Sequence, residues 1–229
     1  MTSVLEALKS FDTPTICNGL EEAMGGRKPL NCTTRPLFCV HTDLPPIVGY
    51  ARTATIRTRV PADVSAPDVL KRRMAYYDHI ATGPLPTVTV IQDLDQPAAQ
   101  GAWWGEVHTA VHKALGSLGC VTNGSVRDID VVAPGFQLIA GGTSPSHGHA
   151  HVVDVACRVE IHGMFVSPGD LIHADRHGAV VIPEEDLPKL IDAIERVAQR
   201  ERLLLDAVRQ PGFGVSQILE ALTKGKDIH

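Results

Sequence analysis

Residues 101–131 read GAWWGEVHTAVHKALGSLGCVTNGSVRDIDV. In order this is a turn, a helix over about residues 104–117, a glycine break, a short strand at Cys120-Val121-Thr122, a glycine turn at Asn123-Gly124, and a charged pair, Arg127-Asp128, at the start of another helical segment. A helix that feeds a strand through a glycine break is the building unit of an α/β sheet. Such sheets bind ligands beyond the carboxyl ends of their strands, and that is where Arg127 and Asp128 fall.

The flanking sequence extends the pattern. Thr87-Val88-Thr89-Val90-Ile91 is a short apolar run of buried-strand type. Before it, residues 68–82 carry Val69, Leu70, Met74, Tyr77 and Ile80 at helical spacing, and residues 48–59 read as a strand containing Val48, Ala54 and Ile56. Ser3 with Glu6 predicts a capping box for a first short helix. Thr13-Pro14 predicts the start of a second, which Gly25-Gly26 ends. After residue 150 the pattern changes to short strands over 152–161, 164–166, 170–174 and 179–182, with a turn at Ser167-Pro168-Gly169-Asp170. Residues 184–209 predict a long amphipathic helix and 215–224 a last short one. With no repeat and no linker, residues 1–229 read as a single α/β domain in which 184–229 form a helical C-terminal arm.

Composition narrows the function. The chain has 229 residues, 44% of them apolar, enough for a real core. A net charge of −5, from 21 Lys+Arg against 26 Asp+Glu, gives no basic face for nucleic acid. The five cysteines, Cys17, Cys32, Cys39, Cys120 and Cys157, are odd in number, widely spaced and free of any C-x-x-C. Reduced thiols in a cytoplasmic protein are the expectation. The first residues do not resemble a signal peptide, and no stretch approaches the roughly 18 apolar residues of a membrane helix.

The chemistry concentrates in the opening stretch. Gly105 opens a helix with free backbone N–H groups, a ready site for a carboxylate. Arg127 offers a forked, permanent cation to an oxygen that gains charge. Asp128 is a hard oxygen ligand of the kind Mg2+ accepts. Together they suit a 2-oxo acid held on a divalent metal. An Arg-Asp or a Gly-Glu alone is more often a surface pair or a cap; the ordered combination is what carries weight.

These segments resemble the RraA-like family, which includes the 4-hydroxy-4-methyl-2-oxoglutarate and 4-carboxy-4-hydroxy-2-oxoadipate aldolases and the regulators of ribonuclease activity. The family's G-E/D-L loop corresponds to Gly105-Glu106-Val107, and its D-G-x-R-D to Asn123-Gly124-Ser125-Val126-Arg127-Asp128. Its later G-x-x-V-x-P-G-D-x-x-x-A-D-x-x-G-x-x-x-x-P runs from Gly163 to Pro183. The resemblance covers roughly residues 13–185. It implies a β/β/α swivelling-type fold, a homotrimer or dimer of trimers (a homohexamer), and an active site at a subunit interface. It implies that Arg127 binds the substrate oxygen and Asp128 the metal, Mg2+ or else Mn2+. Glu106 corresponds to the loop carboxylate acting through water, and the amides of Glu106, Val107 and His108 to the carboxylate pocket. A further carboxylate from a neighbouring subunit's C-terminal region is implied, with Glu195 and Glu201 both open as candidates.

The departures fall around substrate recognition. The family loop continues Leu-Leu where this chain has Val107-His108 after Trp103-Trp104, and the strand ends in Asn123 rather than Asp. Ser146 to His151 read S-H-G-H-A-H. His147, His149 and His151 would share one face if extended and could bind a transition metal, or pack at an interface. His147 and His108 are the preferred substrate-contact candidates among the 11 histidines. His108 and His112 share a helix face; His173 and His177 flank Asp175. Asp170 and Asp175 read as turn hydrogen-bonding residues. Trp103 and Trp104 wall the pocket or support an interface.

The resulting expectation is a metal-dependent lyase that cleaves a carbon–carbon bond of a short 2-oxo acid, as an aldolase or an oxaloacetate decarboxylase, through a pyruvate enolate. The rival expectations are a non-catalytic regulator that binds and inhibits an RNA-degrading enzyme, and a lyase or hydratase of a sugar acid or aromatic fragment.

Overall fold

The computed structural model describes residues 2–226 and residue 228, and only the backbone of residues 2 and 3. Contacts gather the chain into two units, one of the residues up to 13 with 31–183, the other of 14–30 with 184 onward. No helix among the described residues is long and apolar enough to cross a membrane.

The first unit is built on an eight-stranded sheet. Its strand order is Phe38–Cys39, Gln137–Ala140, Ser117–Thr122, Thr87–Asp93, Ile47–Arg57, Leu171–Asp175 and Gly178–Ile182, with His151–Val155 pairing along the remaining length of Ile47–Arg57. The strands from Gln137–Ala140 to Ile47–Arg57 run parallel. Parallel neighbours need crossover connections, and the helices Ala66–Ala81 and Glu106–Ala114 supply two of them. Alternation along the strands sends neighbouring side chains to opposite faces. Cys120 and Leu138 join one core, with Tyr76 and Ile80 of the first crossover helix and Trp104. Val121 and Ile139 join the other, closed by the hairpin of Val159–Ile161 and Met164–Val166. Each fully buried Ile or Leu contributes roughly 1.5–3 kcal/mol relative to exposure. Helices, central sheet and hairpin stack in the β/β/α order that the family resemblance implies.

A second, three-stranded parallel sheet, Ala102–Trp104, Ser125–Val126 and Gly142–Thr143, has no counterpart in the sequence reading. Each of its strands follows the end of a strand of the main sheet. Residues 102–104 are therefore strand rather than turn, and Asn123-Gly124 carries the chain on into a new strand.

Other expectations need correction. In Ala66–Ala81 the core face carries Tyr76 and Ile80, whereas Leu70 and Met74 are more than half exposed. The strand expected over 152–161 is broken at Ala156, which has φ 54°, into His151–Val155 and Val159–Ile161 with different partners. The first helix is already under way at Thr2, two residues before the Val4 at which a Ser3 cap would begin it. The Ser3 side chain of the expected capping box lies outside the described residues; Glu6 pairs with Lys9 at 2.6 Å.

The second unit is helical. Thr13–Ala23 ends as its glycines predict: Gly26 N–H donates to Glu21 O at 2.8 Å and Gly25 N–H to Glu22 O at 3.0 Å, both glycines at positive φ. Within this unit a Cβ on Gly19 would collide with Ile194, so the chain's own residues cover part of the apolar face of Leu187–Val208. Glu22 ties the same helices together by pairing with Arg196 at 3.2 Å and with Arg200.

Candidate active site

Trp104 and Val126 form the last rung of the small sheet. Just past it, Arg127 N–H donates to Trp104 O at 2.9 Å. The segments Gly105-Glu106 and Arg127-Asp128 therefore leave the sheet side by side. Gly105 is the extended N-cap residue of Glu106–Ala114. The helical ladder starts with Thr109 N–H donating to Gly105 O at 3.0 Å, and the amides of Glu106, Val107 and His108 precede it. Such amides, together with the helix dipole, form an anion site. Asp128 sits at φ 55°, a left-handed conformation that Asp tolerates better than most residues. The helical segment expected after it is one 3-10 turn, Ile129–Val131.

Gly105 is needed for space. Its φ of −169° suits any residue, but a Cβ there would stand 2.6 Å from Asp128 Oδ2 and 3.2 Å from Arg127 Cγ. Asp128 Oδ2 lies 3.6 Å from Arg127 Nε, with both side chains partly exposed.

A cleft of about 650 Å3 opens beside this junction. Gly105, Glu106, Val107, His108 and Arg127 line it together with His147. Asp128 is not part of the lining; its carboxylate stands at the edge, next to Gly105. The cleft also takes in Trp103, one of the two tryptophans expected to wall it, and Arg73, His149 and His151, which sequence reasoning had not assigned to it. The signal for Arg73 was available: it sits three residues before Tyr76 and seven before Ile80 on the inward stripe of its helix.

The imidazoles differ sharply. His108 packs edge-on against Trp103, centroids 4.4 Å apart. Burial, then positive charge at His112, Arg73 and Arg127, lowers its pKa to about 3, so the ring is neutral at pH 7. His112 is fully buried beneath it and falls to about 4, mainly by burial. Its Nδ1–H donates to His108 O at 2.6 Å, which leaves Nε2 to accept from Tyr76 OH at 2.5 Å. His147 and His149 do not lie on an extended face; they sit in a compact turn, and only His151 is in a strand. Gly148 in that turn has φ 55°, and a Cβ there would meet Thr58 O at 2.5 Å. Nδ1–H of His147 donates to Gly148 O at 2.7 Å and that of His151 to His149 O at 2.8 Å.

Several residues have structural roles. His173 bonds to Thr13 Oγ1 at 3.0 Å and donates to the Leu8 and Phe11 carbonyls, pinning the N-terminal segment. Asp175 accepts from the amides of Thr13 and His177, and Asp170 from that of Ser167. Trp104 is buried against Phe136, whereas Trp103 walls the cleft. Asn123 Oδ1 accepts from Asp93 N–H at 2.7 Å and its Nδ2 donates to Asp93 O at 2.9 Å. It laces two parallel strands at their carboxyl ends, so the Asn in place of Asp is a structural variation.

The donor chemistry decides which metal could fit. Among the described residues no three His, Cys, Asp or Glu side chains converge as a ligand group. A closed zinc-type site is therefore absent from them. The part-exposed carboxylate of Asp128 suits a hard cation that keeps most of its waters.

Residues 13–181 match the model of the RraA-like family, described as Aldolase/RraA. The chain belongs to the RraA-like family. Among relatives, an uncharacterized protein of Methanocaldococcus jannaschii is 24% identical over 206 residues, covering 89% of this chain and 88% of its own length. A protein of Halalkalibacterium halodurans, provisionally named a 4-hydroxy-4-methyl-2-oxoglutarate aldolase, is 26% identical over 211 residues, covering 89% and 91%. The structure of Streptomyces coelicolor RraAS2, described as an unusual member of the RNase ES inhibitor RraA protein family, superposes with a TM-score of 0.66 at 21% identity over 92% of this chain and 98% of that one. This RraA-like chain thus shares its fold with a family that holds both aldolases and regulators.

Proposed function

We propose that this RraA-like protein is a divalent-metal-dependent lyase that cleaves a carbon–carbon bond of a short 2-oxo acid. The observation that carries the reading is the meeting of the helix amides of 106–108 and the Arg127 side chain on the cleft wall, with the Asp128 carboxylate at its edge beside Gly105. The amides receive the substrate carboxylate. Arg127 holds the 2-oxo oxygen and meets the charge it gains as the bond breaks. In an aldol cleavage the Glu106 carboxylate, acting through water, takes the C4-hydroxyl proton; C4=O forms and leaves as the second carbonyl product, the C3–C4 pair becomes the C2=C3 bond of the enolate whose charge rests on the 2-oxo oxygen, and C3 is then protonated to give pyruvate. Decarboxylation of oxaloacetate uses the same electron sink without that base. Asp128 would hold the metal, Mg2+ or Mn2+, which when bound supplies Lewis-acid polarisation of the 2-oxo oxygen. Neutral His108 contributes a hydrogen bond and no charge. His147 stands on the cleft as a second substrate contact.

A screen of 4-hydroxy-2-oxo acids and oxaloacetate with Mg2+ or Mn2+, following pyruvate, tests this directly. Enzyme-dependent pyruvate from at least one substrate is expected. Its absence from all of them, with a folded protein, favours the regulator reading that the fold also allows.

A further inference from the structure

We propose that Tyr76, His112 and Thr109 are positioning residues for the anion site: two hydrogen-bond chains that start in the core end on the amides of Glu106 and Val107, and fix and polarise those amides as donors. The proposal rests on the reading of the amides as the substrate-carboxylate pocket and adds what stands behind them.

The first chain begins with two polar groups where apolar ones would be expected. Tyr76 and His112 are fully buried among Trp103, Trp104 and Tyr77. A hydroxyl and an imidazole there cost free energy unless each finds a partner, and two apolar side chains of similar size would have no such need. The partners are specific. A carbonyl oxygen only accepts, so the 2.6 Å contact between His112 Nδ1 and His108 O places the ring proton on Nδ1. Burial keeps the ring neutral at pH 7 and the Tyr76 phenol protonated. His112 Nε2 is then a lone pair, and Tyr76 OH donates to it across 2.5 Å. The His108 carbonyl belongs to the same peptide group as Thr109 N–H, which donates to Gly105 O at 3.0 Å. The Gly105 carbonyl belongs to the same peptide group as Glu106 N–H. Tyr76, His112, the 108–109 peptide and the 105–106 peptide therefore follow one another head to tail, and the last donor in the series is the first amide of the helix.

The second chain is shorter. Ala133 N–H donates to Thr109 Oγ1 at 3.0 Å, and that buried hydroxyl donates to Glu106 O at 2.8 Å. The Glu106 carbonyl belongs to the same peptide group as Val107 N–H. Hydrogen bonds in series strengthen one another, by roughly 10–30% per bond, and most where water is excluded. A donor fixed behind a peptide makes the N–H in front of it a better donor, already oriented before the anion arrives.

The test uses oxalate, which presents a carboxylate and an adjoining oxygen as a pyruvate enolate does. Its binding is measured by calorimetry at saturating Mg2+ on wild type, Tyr76→Phe, His112→Phe, His112→Asn, Thr109→Val and the Tyr76→Phe/His112→Phe double variant, with thermal unfolding to check that each is folded. His112→Phe and Thr109→Val should each weaken oxalate at least threefold and leave the Mg2+ dissociation constant within twofold of wild type. Tyr76→Phe should weaken it less, and add nothing in the His112→Phe background. Asparagine can still donate to the carbonyl four residues back, so His112→Asn should recover part of the loss. The amide signals in nuclear magnetic resonance separate the chains from a general loosening of the helix. His112→Phe should move the Glu106 amide proton upfield and leave that of Val107 in place, and Thr109→Val should do the reverse. Folded variants that bind oxalate like wild type, or that shift the amides of 106, 107 and 108 together, overturn the proposal and leave the 2-oxo acid reading standing. A wild type that does not bind oxalate overturns both.

Discussion

A Cβ placed on Gly105 would lie 2.6 Å from Oδ2 of Asp128. The two residues follow different strands of the small parallel sheet, and the Arg127-to-Trp104 hydrogen bond draws them together. The absence of a side chain at Gly105 lets an anion-binding helix terminus and a carboxylate share one edge of the cleft.

The effect of Gly105→Ala should therefore fall on activity. The backbone there is extended, so alanine adds no φ strain, and the part-exposed Asp128 can swing aside. Expected is a fall in kcat/KM of about tenfold or more (roughly 1.4 kcal/mol) with a melting temperature within a few degrees of wild type. Steady-state kinetics beside calorimetric unfolding checks it; unchanged kinetics would show that the Gly105–Asp128 contact has no catalytic consequence.

Arg127→Lys keeps the charge and loses the planar fork. Activity should fall roughly a hundredfold, about 3 kcal/mol, as when an oxyanion donor is removed. The fold should survive, since the Arg127–Asp128 pair is partly exposed and such pairs contribute about 0–1 kcal/mol. Asp128→Ala should differ in kind, with activity partly recovered at high Mg2+. Titrating Mg2+ against rate for both variants separates the two roles.

The buried imidazoles make stability depend on pH. His108 and His112 have folded pKa values of about 3 and about 4, below the ordinary 6.5, chiefly through burial. Below pH 6.5 the unfolded chain takes up protons that the folded chain excludes. Stability is therefore highest above pH 6.5 and falls with pH until the folded rings titrate near 4 and 3. By pH 5 the loss is about 2 kcal/mol per ring. Denaturant unfolding at pH 7 and 5 should show that loss in wild type and a smaller one in His112→Gln. Equal losses in both would contradict the assignment.

The helical unit leaves Leu205, Val208, Val215, Leu219 and Leu222 more than half exposed. Large apolar side chains grouped in this way mark an interaction surface. A homotrimer or hexamer is expected by light scattering at micromolar concentration. Leu219→Glu with Leu222→Glu should shift the mass downward, and a wild-type monomer would refute the expectation.

Much of this arrangement was legible in the chain, for physical reasons that differ by residue. Val88, Val90 and Ile91 announce their strand because a buried parallel strand is rich in apolar, β-branched residues, and Gly105-Glu106 announces a helix start. The small sheet was hidden because strands of two or three residues carry no period; their pairing is set by the main strands that precede them. Leu70 and Met74 misled because periodicity gives spacing without saying which of two overlapping stripes faces in. Arg73 was passed over because only apolar residues were counted along the helix. His149 and His151 reach the cleft through a turn that depends on Gly148 packing on Thr58, a contact 90 residues apart in sequence.

The central claim is that Asp128-held metal and Arg127 carry one lyase reaction. The most direct measurement is pyruvate release from oxaloacetate, corrected for the rate without protein, on wild type before and after dialysis against EDTA and after return of Mg2+. Loss of the enzyme-dependent rate on chelation and its recovery with Mg2+, with Arg127→Lys staying low throughout, is the expected result. A rate that survives chelation, or a full rate in Arg127→Lys, would contradict the account.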